Sequence, residues 1–186
     1  VIAGGFSFAD ALGAGRLFAL ELSHLVGDAL RTAVSKGTPI IGICNGFQII
    51  TEAGLVDGAL RHNDSRKFIC KNVYLRTETN QSLITQGMSR GEVIQIPIAH
   101  GEGNFYASQD TLKRLNDDDC VLFRYCDAHG QINAEANPNG ACENIAGITN
   151  KKRNVFGMMP HPERASDPIL GNTDGLRILE SILALV

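Results

Sequence analysis

The spacing of apolar residues predicts a helix near the start of the chain. Between about Ala14 and Ser35, apolar side chains recur at intervals of three and four residues: Leu17, Phe18, Leu22, Leu25, Val26, Ala29, Leu30 and Ala33. This period places them on one face of a helix. We therefore expect a core-facing helix, which Gly37 ends.

Two short apolar segments read as buried strands. The run Pro39–Ile43 is continuous and short, which is typical of a strand covered on both faces, and the segment Asn45–Ala53 after it has a helical pattern. Val1–Ala3, followed by Gly4 and Gly5, looks like the end of another buried strand that runs into a glycine loop. The chain thus begins with alternating strands and helices.

The rest of the chain is richer in strands. Five further strands are predicted, at Asn72–Arg76, Val93–Ile98, Val121–Tyr125, Ile145–Thr149 and Val155–Met159, with a short helix at Thr111–Leu115. A closing helix is predicted over Thr173–Leu185, with Leu176, Leu179, Ile182 and Leu183 on one face. Helices alternating with strands at the start and clustered strands afterwards favour an α/β fold with a mixed sheet.

Composition narrows the classes of function. The 186 residues, 44% of them hydrophobic and with a net charge of −3, fit one globular domain over residues 1–186. No apolar run approaches the roughly 20 residues that span a bilayer, and no dense Lys/Arg stripe would attract a phosphate backbone. We therefore expect neither a membrane nor a nucleic acid as partner.

The cysteines indicate a reducing compartment. There are five, an odd number, at scattered positions and without a C-x-x-C pair: Cys44, Cys70, Cys120, Cys126 and Cys142. Disulfide-stabilised secreted domains usually carry an even number at regular spacings. A cytoplasmic location is the prediction.

Cys44 lies at a position that is typical of a catalytic nucleophile. Gly42-Ile43-Cys44-Asn45-Gly46 places Cys44 between glycines at a predicted strand-to-helix junction, which is the cysteine form of a nucleophile elbow. The start of the new helix would direct N–H groups and a positive dipole end at the sulfur and favour the thiolate. The alternative is a structural cysteine, with the glycines allowing close helix–strand packing.

A thiolate nucleophile needs a base that a carboxylate orients. Two His-x-Glu pairs have the same spacing, His161-Pro162-Glu163 and His100-Gly101-Glu102, and each follows a predicted strand. Pro160 and Pro162 would hold the backbone at His161 more firmly than glycines hold His100. This favours His161 with Glu163, although spacing alone leaves both pairs open.

Acyl transfer also needs two N–H donors for the oxyanion. The N–H of Asn45, directly after the nucleophile, is one candidate, and the glycine loop Gly4-Gly5-Phe6 could supply the other. A Gly-Gly pair is more commonly just a turn.

Other chemistry finds little support in the sequence. Neither a complete dinucleotide fingerprint nor a Walker lysine motif occurs. A zinc site built from His100, Glu102 and a cysteine would lack the paired-cysteine spacing of the zinc deaminases. We therefore predict no metal site.

The motifs together resemble those of class I (triad) glutamine amidotransferases. Gly42–Gln48 and Pro160–Glu163 carry this resemblance. Four further segments are similar to the glutaminase component of phosphoribosylformylglycinamidine synthase: Gly4–Phe8, Pro97–Gly103, Asn137–Gly140 and Met158–Arg164.

The resemblance implies roles for individual residues. Cys44 would be the nucleophile, His161 the general acid/base and Glu163 its orienting carboxylate. Gln48 would lie beside the bound glutamine, with oxyanion donors from Asn45 and from the loop at Gly5 and Phe6. By the same resemblance, His100 and Glu102 fall near the active-site mouth, in contact with substrate or partner.

The resemblance also implies an architecture and partners. The fold would be an open, mostly parallel mixed sheet flanked by helices, flavodoxin-like and lacking the first βα unit of the family. Glutamine would be the substrate, and ammonia would pass to a synthetase subunit that holds ATP and Mg, with a small third subunit as a further partner. This chain itself would need no cofactor.

Two alternatives remain at this point. One is a related cysteine hydrolase of the same fold, such as a γ-glutamyl hydrolase or a peptidase-like protein. The other is a non-catalytic amidotransferase-like module that regulates a partner.

Overall fold

In the computed structural model, which describes residues 1–183, four α-helices and eight strands are joined by loops and short 3₁₀ turns. The helices are α1 (Arg16–Ser35), α2 (Asn45–Glu52), α3 (Gln109–Asp117) and α4 (Leu176–Leu183). The strands are β1 (Ile40–Ile43), β2 (Ala59–Arg61), β3 (Ile69–Thr77), β4 (Val93–His100), β5 (Asn104–Tyr106), β6 (Val121–Cys126), β7 (Ile145–Thr149) and β8 (Val155–Met158).

The elements agree with the apolar pattern in nearly every case. Each predicted helix is present, and so are the strands predicted from Pro39 onward, with β7 at its predicted bounds. The strand predicted at Val1–Ala3 is not formed among the described residues, where Ile2 makes an isolated bridge to Gly42 instead. The last two residues of the predicted closing helix, Ala184 and Leu185, lie outside the described residues. Strands β2 and β5 were not predicted, because three residues are too few to show an alternating pattern.

The main sheet has six strands in the order β1-β8-β7-β6-β3-β4, and β2 pairs with β5 in a separate antiparallel ribbon. The predicted mixed α/β sheet is confirmed, but the expectation that it is mostly parallel is wrong. Among the strands described, only β1 and β8 are parallel neighbours, and an isolated parallel bridge joins Ile2 to Gly42.

The other ladders of this sheet are antiparallel, and for β7 and β8 the connection gives the reason. Only residues 150–154 join β7 to β8. Two strands joined by so short a turn can pair only in the antiparallel direction, because parallel neighbours need a crossover of a dozen or more residues.

Helix α1 is less buried than its apolar pattern predicts. Within it, only Ala19 and Gly27 are buried, and four of its large apolar side chains are exposed: Phe18, Leu20, Leu25 and Val26. The described part of the chain packs against α1 mainly through α2, and Asn154 Nδ2 donates to Val34 O near its end. The expectation of a core-facing helix is therefore corrected: Leu30 and Val34 pack against the core, while much of the apolar face of α1 stays exposed.

The parallel pair determines where functional side chains meet. Strands β1 and β8 end at the same edge of the sheet, with Cys44 directly after β1 and His161 three residues after β8. Ligands of α/β sheets bind at the carboxyl ends of parallel strands. Among the helices of residues 1–183, none is long and apolar enough to cross a bilayer.

Candidate active site

Cys44 lies at a sharp turn between β1 and α2. Its backbone has φ 51° and ψ −106°, a conformation that costs a non-glycine residue about 1–3 kcal/mol. The turn is held on both sides: the Cys44 N–H donates to Met158 O at 2.8 Å, and the Gln48 N–H donates to Cys44 O at 3.1 Å. Cys44 thus stands at the sheet edge and directly before the first turn of α2.

The two glycines around Cys44 are required by close backbone contacts. A Cβ at Gly42 would lie 2.5 Å from Gly46 O, and a Cβ at Gly46 would lie 2.0 Å from Ile2 O. Both distances are shorter than any side chain tolerates, so helix, strand and N-terminal segment can meet here only through glycine. The elbow predicted from the sequence is present in the fold.

His161 has two ring nitrogens in different surroundings. Nδ1 lies 2.6 Å from Glu163 Oε1, whereas Nε2 is buried and has no hydrogen-bond partner among the described residues. An ionised carboxylate only accepts, so Nδ1 carries the proton and Nε2 presents a lone pair. The His161 N–H donates to Pro97 O at 2.8 Å, which ties this turn to β4.

Gly4 brings the nucleophile and the histidine together. A Cβ on Gly4 would lie 2.9 Å from His161 Cε1 and 3.4 Å from Cys44 Cβ. Cys44, His161 and Glu163 all line one cavity of about 670 Å³, whose other walls are largely apolar. Gly4 belongs to the glycine loop that the sequence predicts after Val1–Ala3, and its lack of a side chain is what allows the loop to approach both Cys44 and His161.

The second His-x-Glu pair is arranged differently. His100 Nδ1 contacts Asn63 Oδ1 at 3.0 Å, and Glu102 accepts instead from the Ala14 N–H at 3.3 Å and faces His62 Nδ1 at 3.6 Å. His100 therefore has no carboxylate partner of its own. A histidine–carboxylate pair beside Cys44 is formed by His161 and Glu163.

The thiol form of Cys44 is favoured in the free protein. Burial raises the pKa of Cys44 to about 11, and the nearby Glu163 carboxylate adds to this, while the Asn45 N–H and Arg164 act in the opposite direction. The expectation that the helix start favours the thiolate is therefore corrected. The N–H of Asn45 does stabilise the thiolate, but loss of water around a buried sulfur outweighs it.

The carboxylate of Glu163 remains ionised. Its partial burial acts to raise its pKa, but the hydrogen bond and charge of His161, together with Arg164, outweigh burial and lower the pKa below its usual value. An ionised Glu163 can hold the His161 proton on Nδ1 and stabilise the imidazolium that forms when Nε2 takes a second proton.

His100 is a neutral neighbour of this pair. Burial, with the adjacent His161 as second cause, lowers the pKa of His100 to about 4. The oxygen of Asn63 also accepts from the Gly103 N–H at 3.0 Å, while its nitrogen donates to Lys67 O and His100 O. Asn63 therefore presents oxygen to His100, whose proton lies on Nδ1.

The predicted oxyanion donors lie around Cys44. The Asn45 N–H is directed at the sulfur of Cys44, as its effect on that pKa requires. Gly5 and Phe6 line the wall of the same cavity; Gly5 has φ 151°, and the exposed ring of Phe6 lies 6.1 Å from that of Phe68. Their role as donors stays a prediction.

Two predicted substrate contacts are not on the cavity wall in this structure. Gln48 is buried and bonded within the protein, to Asn45 and to Glu102 O, and His100 is buried behind Ala99. Ala99 itself lines the cavity, and its carbonyl lies 3.7 Å from Cys44 Sγ, positioned to accept from the thiol. No sequence signal marks a backbone carbonyl of this kind.

Residues 1–183 contain no group of three or more His, Cys, Asp or Glu side chains arranged to hold a metal ion. Groups that the site does offer for chemistry are a thiol, an imidazole, a carboxylate and backbone N–H groups.

Comparison with known proteins agrees with this geometry. A model of the CobB/CobQ-like glutamine amidotransferase domain matches residues 1–175. The phosphoribosylformylglycinamidine synthase subunits PurQ of Koribacter versatilis and Methanosarcina barkeri are 52% and 50% identical, each over 98% of this chain and 78% of that relative. A chain in the structure of PurLQS from Thermotoga maritima is 41% identical, with a TM-score of 0.82, over 98% of this chain and 76% of its own. By sequence and by fold, this chain belongs to the CobB/CobQ-like glutamine amidotransferase family.

Proposed function

We propose that this chain is the glutaminase subunit of a phosphoribosylformylglycinamidine synthase, and that it hydrolyses glutamine to glutamate and ammonia. Relatives that carry this subunit's name match 98% of the chain at about half identity. The observation that carries the chemistry is His161, whose Nδ1 is held by Glu163 at 2.6 Å and whose buried Nε2 is unpaired among residues 1–183, in one cavity with Cys44.

In the first step, the Cys44 sulfur attacks the side-chain amide carbon of glutamine while its proton moves to His161 Nε2. Because burial keeps the pKa of Cys44 at about 11, the proton leaves as the substrate arrives rather than beforehand. Glu163 stabilises the imidazolium, which is the role of the third member of a triad.

The amide oxygen becomes an oxyanion, which two N–H groups would hold. The Asn45 N–H is one donor, and the loop at Gly4–Phe6 offers the second. Each such donor contributes roughly 10²–10³ in rate in acyl-transfer enzymes.

Collapse of this intermediate breaks the C–N bond. His161 gives its proton to the nitrogen, ammonia leaves, and a γ-glutamyl thioester remains on Cys44. A water molecule then loses its proton to Nε2 and attacks the thioester; glutamate is released and the proton returns to the sulfur.

The ammonia would serve a synthetase subunit. We assign ATP and Mg to that partner, propose that this chain needs no cofactor, and include a small third subunit in the complex. A chain of the PurLQS structure matches this one over nearly its whole length. Ammonia would be used there in purine biosynthesis.

We also propose that the chain works in the cytoplasm. All five cysteines are free thiols in the structure, and three of them, Cys44, Cys120 and Cys126, are buried in the fold. Free thiols of this number suit a reducing compartment.

The test is glutamate release from glutamine by the folded chain, with and without the synthetase subunit. Cys44→Ser should abolish release, whereas Cys126→Ser, a matched change of a buried free cysteine outside the cavity, should leave it at the wild-type level. The complex with Cys44→Ser should still synthesise product from added ammonia.

Three results would contradict the proposal. Glutamate release that persists in Cys44→Ser would show that Cys44 is not the nucleophile. Cleavage of γ-glutamyl peptides in preference to glutamine would indicate a related cysteine hydrolase, and a folded wild-type chain that releases nothing with its partner present would indicate a regulatory module.

A further inference from the structure

Two side-chain amides on α2 form a hydrogen-bonded chain between the loop that follows Gly4 and the turn that follows β4. The Ser7 N–H donates to Asn45 Oδ1 at 3.2 Å, Asn45 Nδ2 donates to Gln48 Oε1 at 2.9 Å, and Gln48 Nε2 donates to Glu102 O at 2.6 Å. Asn45 and Gln48 are both buried. We call these three bonds the amide relay.

The two ends of the amide relay determine its direction. A backbone N–H can only donate and a backbone carbonyl can only accept, so Ser7 N–H at one end and Glu102 O at the other leave one orientation for each amide. If either amide were reversed, two acceptors or two donors would face each other. Each bond therefore depends on the others, and losing one leaves a buried polar group unpaired.

The relay holds a loop that is strained. Phe8, Ala9 and Asp10 all have left-handed backbones, with φ of 53°, 52° and 53°, a conformation that costs roughly 1–2 kcal/mol per residue. The loop is tied down on both sides of this turn, because the Ser7 N–H is held by Asn45 and the Ala14 N–H by the carboxylate of Glu102. Gly4, against Cys44 and His161, lies just before the first of these ties.

We infer that the side chains of Asn45 and Gln48 are positioning residues, which hold the Gly4–Ser7 loop where its N–H groups meet the oxyanion. The inference rests on the proposed glutaminase function. It differs from a substrate-binding role for Gln48, because that side chain is buried away from the cavity wall and bonds to Asn45 and to Glu102 O. Asn45 thus contributes twice, with its backbone N–H at the sulfur and with its side chain at the loop.

The variants Asn45→Leu and Gln48→Met test this, because they remove the relay without adding charge near Cys44. A loop displaced by about 1 Å should lower kcat for glutamine on the order of 10²-fold, with KM little changed. Gln48→Glu keeps the shape of the side chain but turns an acceptor toward Glu102 O, so it should also lower kcat. Asn154→Leu, which removes another buried amide bonded to backbone carbonyls far from the cavity, is the matched control.

A second readout separates positioning from general damage. Alkylation of Cys44 by iodoacetamide forms no oxyanion, so its rate should stay within about two-fold of wild type in Asn45→Leu and Gln48→Met. If alkylation and kcat fell together, the two side chains would be structural and the inference would be overturned.

Two further outcomes decide against the inference. Unchanged kcat in both variants would show that the loop needs no relay, and a raised KM with unchanged kcat in Gln48→Met would make Gln48 a substrate contact. These results differ from failure of the proposed function, in which the wild-type chain and Cys44→Ser would both release no glutamate.

Discussion

His161 Nδ1 lies 2.6 Å from Glu163 Oε1, and the other ring nitrogen, Nε2, has no hydrogen-bond partner among residues 1–183 and is free to accept a proton in the cavity of Cys44. The pair arises from the turn after β8, where Pro162 between the two residues restricts the backbone. The carboxylate thereby selects the tautomer that can take a proton from the thiol.

Glu163→Gln should reduce glutamine hydrolysis on the order of 10²-fold through kcat. The amide keeps the size of the side chain, but it has no charge to stabilise the imidazolium, and its NH₂ can bind Nδ1 and move the proton to Nε2. Steady-state kinetics of glutamate release measures this, with Glu135→Gln at an exposed glutamate as the control. Wild-type kcat in Glu163→Gln would show that the contact is structural.

Alkylation of Cys44 in the absence of glutamine should keep rising with pH beyond pH 9. Burial raises the pKa of Cys44 to about 11, so only a small fraction is thiolate at neutral pH and the reactive form grows until that value is passed. Mass spectrometry of the Cys44 peptide after timed iodoacetamide treatment measures the rate, with exposed Cys70 as an internal reference for the reagent. A plateau already reached by pH 8 would mean a preformed thiolate.

His100 should make the protein less stable in mild acid. Burial lowers its pKa from 6.5 to about 4 in the fold. Between these two values, His100 is protonated in the unfolded chain but neutral in the folded one. Stability is then fully present above pH 6.5 and is lost as the pH falls toward 4. The difference between the two pKa values corresponds to roughly 3 kcal/mol.

Urea unfolding at pH 7 and pH 5 measures this contribution. His100→Gln should be less stable at pH 7 because it loses the contact with Asn63, yet it should lose less stability than wild type on moving to pH 5. His24→Gln, at an exposed histidine of α1, should retain the wild-type difference between the two pH values. An unaltered pH dependence in His100→Gln would mean that other groups cause the acid sensitivity.

Gly46→Ala should destabilise the protein by about 1–3 kcal/mol, the usual range for forced overpacking. The added Cβ would lie 2.0 Å from Ile2 O, so α2 and the N-terminal segment would have to separate. Chemical denaturation gives the change in unfolding free energy. Gly101→Ala is the control, because a Cβ there meets no atom within 4 Å. Equal stability of the two variants would show that the turn at Cys44 accommodates a methyl group at position 46.

The spacing of apolar residues along the chain predicts most of the strands and helices of the fold. The strands from β3 to β8, apart from the three-residue β5, follow from continuous or alternating apolar runs, and α2 follows from a helical pattern directly after β1. The mostly parallel sheet implied by the resemblance is not what the fold contains, because among the described strands only β1 and β8 pair in parallel. Strands β7 and β8 cannot do so, since residues 150–154 are too few for a parallel crossover. The apolar pattern of α1 indicated a helix but not how many of its neighbours would cover it.

The site shows the same division. The glycines at 42 and 46 around Cys44 predict the elbow, since only glycine allows backbone so close to a nucleophile. The choice between the His161 and His100 pairs could not be made from spacing, because both offer a histidine and a carboxylate two residues apart. In the fold, His100 Nδ1 contacts Asn63 Oδ1, and the carboxylate of Glu102 accepts from the Ala14 N–H instead. Of the two pairs, it is His161 and Glu163 that are in contact with each other.

The sequence by itself determined the order of strands and helices, the elbow at Cys44 and the resemblance that names a reaction, because these depend on neighbours in the chain. The tertiary structure decided the protonation of Cys44, the tautomer of His161 and the ties that hold the Gly4–Ser7 loop. Burial and hydrogen-bond partners far apart in sequence control these properties, and only folding brings them together.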